Sequence, residues 1–437
     1  MTPITKADID RLRRRIERIE GGRMEPLSRV AALDEPEPEI QTRFEPPERY
    51  DAETLLDGTE QQNEHGRYFL QERFFPLHKL HGGFEIARLQ DMPGSWLEGV
   101  SKGEIAACDP SRWVFLDTET TGLAGGTGTC AFLVGVGAIE PDGFRVRLFF
   151  MRDYDEEAAM LHGLAQFLSR YEVLVTYNGK SYDAPLLETR YRLRRLPPPL
   201  EDLDHLDLLH GARSLFKLRM ESCRLVHLER ELLGVERQGD LPGELIPYYY
   251  FEYLRTRQAF KLAPMFHHNV MDIVSLACLT HVVLPAFAAP EEADLRHGQD
   301  LLGLARWLRR AKQTDSAVAL YRRAIQAGMH DHDLFQALWE QALAEKKRAD
   351  HEAKAAILED LVTTPNAFRA KACEELARHH ERVTKDLSRA LELTLQGLAL
   401  APSEEMERRR ARLEKRLAKA TQVRSSLFEE RKPIPRP

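Results

Sequence analysis

Asp117 and Glu119 stand two positions apart in the run Trp113-Val-Phe-Leu-Asp-Thr-Glu-Thr-Thr-Gly-Leu123. The four apolar residues ahead of them read as a buried strand. A strand has a side-chain period of two, so both carboxylates point to one face. Two like charges there repel each other unless something neutralises them, and a divalent cation is the usual neutraliser. Taken alone, the pair is equally well a solvated, acidic strand end. Two later segments tip that balance. In Val173-Leu-Val-Thr-Tyr-Asn-Gly-Lys-Ser-Tyr-Asp183, an apolar strand runs into a glycine-containing turn, with Ser181 as a helix cap and Asp183 in the first helical turn. In His267-His268-Asn-Val-Met-Asp272, His268 and Asp272 are four apart and share a helix face; the stretch from Ile273 to Leu284 continues with helical spacing. Four carboxylates, an Asn and a His on three elements make an oxygen-rich donor set. Such a set suits Mg²⁺ or Mn²⁺, not zinc.

The order Asp-x-Glu, Asn-x-x-x-aromatic-Asp, His-x-x-x-Asp resembles the signature of the DEDD exonucleases of the ribonuclease-H-like superfamily, over about residues 65–290. Asp117 to Leu123 is similar to the first exonuclease motif of proofreading subunits. His205-Leu-Asp-Leu-Leu-His210, Asp240-Leu-Pro-Gly243 and Ile246-Pro-Tyr-Tyr249 are similar to a bacterial subgroup of predicted 3′–5′ exonucleases, YprB-like. The resemblance implies a two-metal phosphodiesterase acting on a single-stranded 3′ end of DNA or RNA. Asp117, Glu119, Asp183 and Asp272 would hold two Mg²⁺ or Mn²⁺ ions, and a third-motif His would take a proton from the attacking water. Asn178 and Tyr182 would hold the terminal nucleotides, and Leu123 would pack on the last base. Proofreading relatives have His five residues before the last Asp, or Tyr four before it. This chain has His267 and His268 at the two distances, which leaves the base open. Helix geometry favours His268, because His267 lies about 140° round an ideal helix from Asp272. An endonuclease of the same fold and a catalytically silent scaffold are the competing readings. The third motif argues against the first, and the intact acidic positions argue against the second.

The elements that must position these residues read as strands over 113–118, 131–139 and 144–150, a helix over 155–170, a strand over 173–177 and a helix over 181–195. Pro141-Asp-Gly143 supplies a turn. A three-strand meander followed by alternating helix and strand is the ribonuclease-H-like order: an α/β domain with a mixed sheet and flanking helices, its site at the carboxyl ends of central strands. Residues 63–290 are assigned to this domain, with 197–265 as a stretch of helices and loops. Within it, Asp204 and Asp207 read as helix-start partners ahead of any site role. The cluster Arg190, Arg192, Arg194 and Arg195 fits a phosphate contact or a solvated face equally well. Residues 1–62 read as a short basic helix (5–20) and an acidic, proline-rich linker, partly disordered.

Residues 291–437 turn all-helical. The segments beginning at Asp315, Glu352 and Ser388 look alike at a helical-hairpin period, similar to a degenerate tetratricopeptide array. Such arrays offer a concave surface to a protein partner; the alternative is a stabilising cap. Residues 408–416 are basic and helical. At 437 residues two or three domains are expected. A net charge of -7 and a pI near 6.2 advertise no broad nucleic-acid footprint. Five dispersed cysteines without a C-x-x-C pair fit a reducing cytoplasm. Neither a signal peptide nor a run of transmembrane length is expected.

Overall fold

The computed structural model describes residues 51–122, 128–237 and 239–429. Its main sheet has the strands β1 (Gly58–Asn63), β2 (Gly66–Pro76), β3 (Trp113–Thr120), β4 (Ala131–Glu140), β5 (Gly143–Phe150), β6 (Val173–Thr176) and β7 (Asp204–Asp207). Their spatial order is β1-β2-β5-β4-β3-β6-β7. Neighbours from β1 to β3 run antiparallel, whereas β6 and β7 add in parallel beside β3. β3 is therefore central. Its first half, Trp113 to Leu116, is buried, and its second half, Asp117 to Thr120, opens toward solvent. The switch from core to accessible surface along one strand is what creates the site.

Helices fill both faces. They are α1 (Glu157–Leu168) between β5 and β6, α2 (Asp183–Leu193) after β6, α3 (Leu208–Phe216) after β7, α4 (Ile246–Thr256) and the long α5 (Leu262–Ala288). α5 lies against β3, β4 and β5. The close approach needs two glycines on β4. A Cβ on Gly135 would sit 1.8 Å from Asn269 Oδ1, and one on Gly137 would sit 2.5 Å from Ile273 Cγ2. Neither distance is sterically possible, so these positions admit only glycine while α5 keeps its place. The mixed sheet with flanking helices is the expected fold class.

Several expectations need correction. The linker ends earlier than residue 62, because β1 adds to the sheet edge from Gly58 onward, paired with β2. Residues 204–207, read as part of a helix-and-loop stretch, form the outer parallel strand β7; four residues with three polar side chains give no periodic signal. One helical stretch, Ala259–Ala288, is long and apolar enough by composition to cross a membrane, contrary to the expectation that no run would be. Its most apolar window has a mean hydropathy of 1.9, but 72% of that window is buried within the protein, where α5 is the central core helix. The N-terminal helix expected at 5–20 lies outside the described residues.

The all-helical region follows as α6 (Gly298–Arg310), α7 (Thr314–Ala327), α8 (Asp331–Lys347), α9 (His351–Thr363), α10 (Arg369–His379), α11 (Leu387–Leu400) and α12 (Glu404–Glu429). Successive helices pack on one another. The hydrophobic core does not stop at residue 290. One cluster runs from Ala52 to Ala344, and a second joins Ala342, Leu358, Leu376 and Leu393. α6 presses onto α3 through Gly303, where a Cβ would meet the Ser214 carbonyl oxygen at 2.1 Å. The basic tail is largely used internally: Arg409, Arg412 and Arg416 all converge on Glu381.

Candidate active site

The end of β3 is held in register by β4, with Asp117 opposite Gly135 and Glu119 opposite Leu133, and the pairing slips between Glu119 and Thr120. Such an irregularity bends a strand and re-aims its last side chains. Asp117 is oriented from behind by Asn269, whose Nδ2 donates to Asp117 Oδ2 at 2.8 Å. Asn269 is fully buried, and its Oδ1 is left without a hydrogen-bond partner. That amide therefore does its work on one side only, toward the carboxylate. Thr118, between the two β3 acids, donates its hydroxyl to Asp183 Oδ1 at the start of α2.

Electrostatics show that the four acids share one cleft. Burial, followed by Asp272, Asp183 and Glu119, holds the Asp117 carboxyl well above its usual range. Burial raises Glu119 to about 8, with Asp272, Asp183 and Asp240 adding to the rise and His268 opposing it. Burial lifts Asp183 to about 6 against the hydrogen bond from Thr118. These side chains are enclosed by protein yet keep an accessible side. Carboxyls raised by burial and by one another mark a site short of positive charge, which is the deficit a divalent cation fills.

His268 and Asp272 come from α5, as their spacing predicts. His268 Nδ1 lies 2.7 Å from Asp240 Oδ1, and its Nε2 lies 3.5 Å from Asp272 Oδ2. Burial pulls the imidazole down, but the Asp240 hydrogen bond with Asp272 and Glu119 more than offsets it and raises the group to about 8. The Asp240 bond favours a proton on Nδ1, which leaves Nε2 turned to the cleft. Glu119, His268 and Asp272 each bring one ligand atom within 4.8 Å of the others. His267 is exposed, inside α5 rather than ahead of it, and makes no hydrogen bond or ion pair among the described residues.

Two groups that sequence reasoning did not single out support this cluster. Arg237 reaches Asp272, Glu229 and Asp240 with one guanidinium, 3.1 Å from Asp240 Oδ2, and its side chain is only 4% exposed. Glu229 is wholly buried at the start of a π-helical turn, Glu229–Leu233. Such turns often mark functional sites. Nothing in the spacing around Arg237 announced it, because the loop after Gly234 has no period. Asn269 was legible in principle: it is three residues before Asp272, hence on a neighbouring face of the same helix.

The β6–α2 turn carries the remaining candidates. Asn178 adopts a left-handed conformation, with φ of 69°, and its N–H donates to Asp207 Oδ1 at 2.8 Å. Asp207 also takes the N–H of Lys180 at 3.2 Å and caps α3 through Leu209 at 3.0 Å. It thus acts as the cap expected of it and also fixes the turn that leads to Asp183. Tyr182 is 62% exposed, one residue before Asp183. Leu123 lies outside the described residues. Of the arginine cluster, Arg190 and Arg194 grip Glu157, while Arg192 pairs with Glu201, so those three side chains serve the fold.

Residues 114–284 match the family described as the RNase_H superfamily. The chain is 32% identical over 336 residues to the uncharacterized protein YprB of Bacillus subtilis (strain 168), covering 76% of this chain and 80% of that one. Among solved structures, the family B DNA polymerase from the hyperthermophilic archaeon Pyrobaculum calidifontis aligns with a TM-score of 0.34 and 16% identity. That alignment covers 48% of this chain and 30% of the polymerase.

Proposed function

This chain belongs to the YprB family and carries a ribonuclease-H-like, nuclease-type domain, and we propose from that premise that it is a 3′–5′ exonuclease of the DEDD type, trimming single-stranded ends of nucleic acid in the cytoplasm. The observation that carries the reading is the meeting of Asp117, Glu119, Asp183 and Asp272, from β3, α2 and α5, with His268 backed by Asp240. Folds of this class generally use divalent metal ions. The donor set is carboxylate-rich and short of positive charge, which fits Mg²⁺ or Mn²⁺. Two such ions, held by the four acids, would polarise the scissile phosphate and offset the charge that develops during hydrolysis.

The chain's own residues divide the remaining work. Asn269 keeps Asp117 in one rotamer. Arg237 fixes Asp272, and Asp240 holds His268 so that Nε2 faces the cleft, where it would take the proton of the attacking water once bound cations offset the surrounding acids. Tyr182 offers an exposed ring for the terminal base, and Asn178 a polar side chain beside it. The C-terminal helices fit a degenerate tetratricopeptide array open to a protein partner. A digestion of 3′- and 5′-labelled single-stranded DNA and RNA in Mn²⁺, with a circular single strand as control, tests the whole reading. Stepwise loss from the 3′ end, sparing the circle and absent in Asp117→Asn, is expected. Cleavage of the circle would make the enzyme an endonuclease, and no cleavage with no Mn²⁺ binding would make it a scaffold.

A further inference from the structure

A net charge of -7 is an awkward endowment for a protein that grips a polyanion. Most arginines deepen the difficulty, because they are spent on the chain's own acids: Arg152 and Arg237 each meet three carboxylates, and Arg190 grips Glu157. One groove gathers several cations that are not spent this way. A cavity of about 770 Å³ opens between α3, the β6–α2 turn, the short helix Trp96–Ser101 and α6 of the helical region. Lys180, Arg213, Lys217 and Arg310 line it. All four are exposed, and none has a hydrogen bond or ion pair through its side chain among the described residues. Lys102 stacks its ammonium 4.4 Å above the Trp307 ring, which also lines the cavity. The acids in the lining are Glu104 and Asp207, and Asp207 is already engaged by three backbone N–H groups.

We propose that this groove holds the sugar–phosphate backbone of the strand whose 3′ end enters the acidic cleft, so that α6 of the helical region is part of the substrate site. The inference rests on the exonuclease reading and deepens it. The link between groove and cleft is covalent and short. Lys180 lies in the groove lining and three residues ahead of Asp183, and Asp207 clamps the Asn178–Lys180 backbone of the turn that leads to Asp183. Arg213 in the last turn of α3 and Lys217, its C-cap, are one helical turn apart, so their side chains project from one face as a pair. Cations without an acid partner, concentrated in a groove, give a local positive field that the overall charge conceals. Backbone phosphates are read by such charges without regard to sequence. The core cluster that crosses residue 290 and the tight α3–α6 packing at Gly303 keep the two walls in fixed register.

The test uses the full chain and compares Arg213→Glu/Lys217→Glu with Arg382→Glu/Lys385→Glu, an exposed pair on the far helices that changes net charge equally. Arg310→Glu reports on α6 alone. Binding of fluorescein-labelled oligothymidylate and oligouridylate is read by anisotropy in EDTA across a salt series. Hydrolysis is read on the same oligomers and on the p-nitrophenyl ester of thymidine 5′-phosphate, which is too short to reach the groove. The α3 pair should weaken oligomer binding by ~10-fold or more and flatten the log–log salt slope by about 0.7 for each phosphate no longer neutralised. Arg310→Glu should do the same to a smaller degree, and ester hydrolysis should be unchanged in both. Circular dichroism checks that the variants are folded. Wild-type affinity and salt slope in the α3 pair, or equal weakening in the control pair, would overturn the groove. If wild type binds but hydrolyses neither oligomer nor ester, the exonuclease reading falls instead, and the anisotropy comparison still decides the groove.

Discussion

Two charged clusters lie in the same domain and are built in opposite ways. Around Glu157, at the start of α1, charge is matched. The carboxylate is 1% exposed and receives Arg190 at 2.5 and 2.7 Å, with Arg194 alongside. Around Asp117, charge is mismatched. Asp117, Glu119, Asp183, Asp272, Asp240 and Glu229 face one fixed cation, Arg237, and one titratable one, His268. A fold left to minimise its own free energy pairs buried charges, because each unpaired one costs several kcal/mol. Where pairing is so incomplete, the acids either keep protons or take counter-charge from outside the chain. The difference separates acids that hold the fold together from acids that await a ligand, a distinction composition alone cannot make.

The sharpest way to break that comparison is to neutralise one acid from each cluster. Asp117→Asn and Asp183→Asn should abolish hydrolysis. Their metal-free melting temperatures should hold or rise, since repulsion is relieved while the amide oxygen can still accept from Asn269 or Thr118. Glu157→Gln should do the reverse: it removes the negative charge that the buried Arg190 guanidinium grips and should cost about 3–5 kcal/mol, with activity per folded molecule near wild type. Thermal melts with and without Mn²⁺, run beside an oligonucleotide assay, read both. Equal destabilisation in the two clusters would show the Asp117 group to be structural.

Next in size is the proton acceptor. His268→Ala should lower the rate at saturating metal by ~10²-fold or more, the usual worth of a general base. His267→Ala, removing an exposed side chain without a partner among the described residues, should change it little. The reverse ranking would assign this chain to the class with the longer His–Asp spacing.

Arg237 sharpens the comparison from the other side, because it brings a fixed positive charge to three carboxylates of the acidic cleft. Arg237→Met removes the guanidinium from Glu229, which has no other cation within ion-pair range among the described residues, and frees Asp272 and Asp240. Folding should weaken by about 3 kcal/mol or more, and the rate should fall because Asp272 and His268 lose their orientation. Arg237→Lys keeps the charge but not the fork, so it should recover stability better than rate. Stability and rate recovering together would mean that Arg237 serves the fold only.

The ribonuclease-H-like core was legible because its strands are long enough to show a pattern. β3 to β6 were read to within three residues, and α5 announced itself by apolar spacing. The acids were legible because each sits at a fixed offset from such an element. β7 and β1 were not: the first is four residues with three polar ones, and the second, Gly-Thr-Glu-Gln-Gln-Asn, is an edge strand with an almost wholly polar sequence. Arg237 and the groove cations escaped for a different reason. Arg237 meets Asp240 and Glu229 across an irregular loop and Asp272 35 residues away, and the groove cations come from separate elements, so no periodic spacing encodes either group.

The smallest expected effect concerns protons, and its sign follows from the same mismatch. In the metal-free protein Glu119 is held at about 8 against an ordinary 4.5, Asp183 at about 6 against 3.8, and His268 at about 8 against 6.5. Between these ordinary values and about pH 8, the native state therefore binds more protons than the unfolded chain. Stability must then fall as pH rises through that window, because the slope follows the proton number of the unfolded state minus that of the native one. The carboxylate contribution is fully present below the ordinary carboxylate range and is lost as pH passes about 8. Asp240 is shifted down by His268 and Arg237 against its burial; its contribution has the opposite sign but is complete before this window opens. In EDTA the melting temperature should thus decline from about pH 5 to about pH 8, and Glu119→Gln should flatten the decline. With saturating Mn²⁺ the trend should reverse, since ligand carboxylates must give up their protons to bind a cation. A metal-free melting temperature that climbs over this range would mean that the acids already find their counter-charge within the chain, and the contrast with Glu157 would disappear.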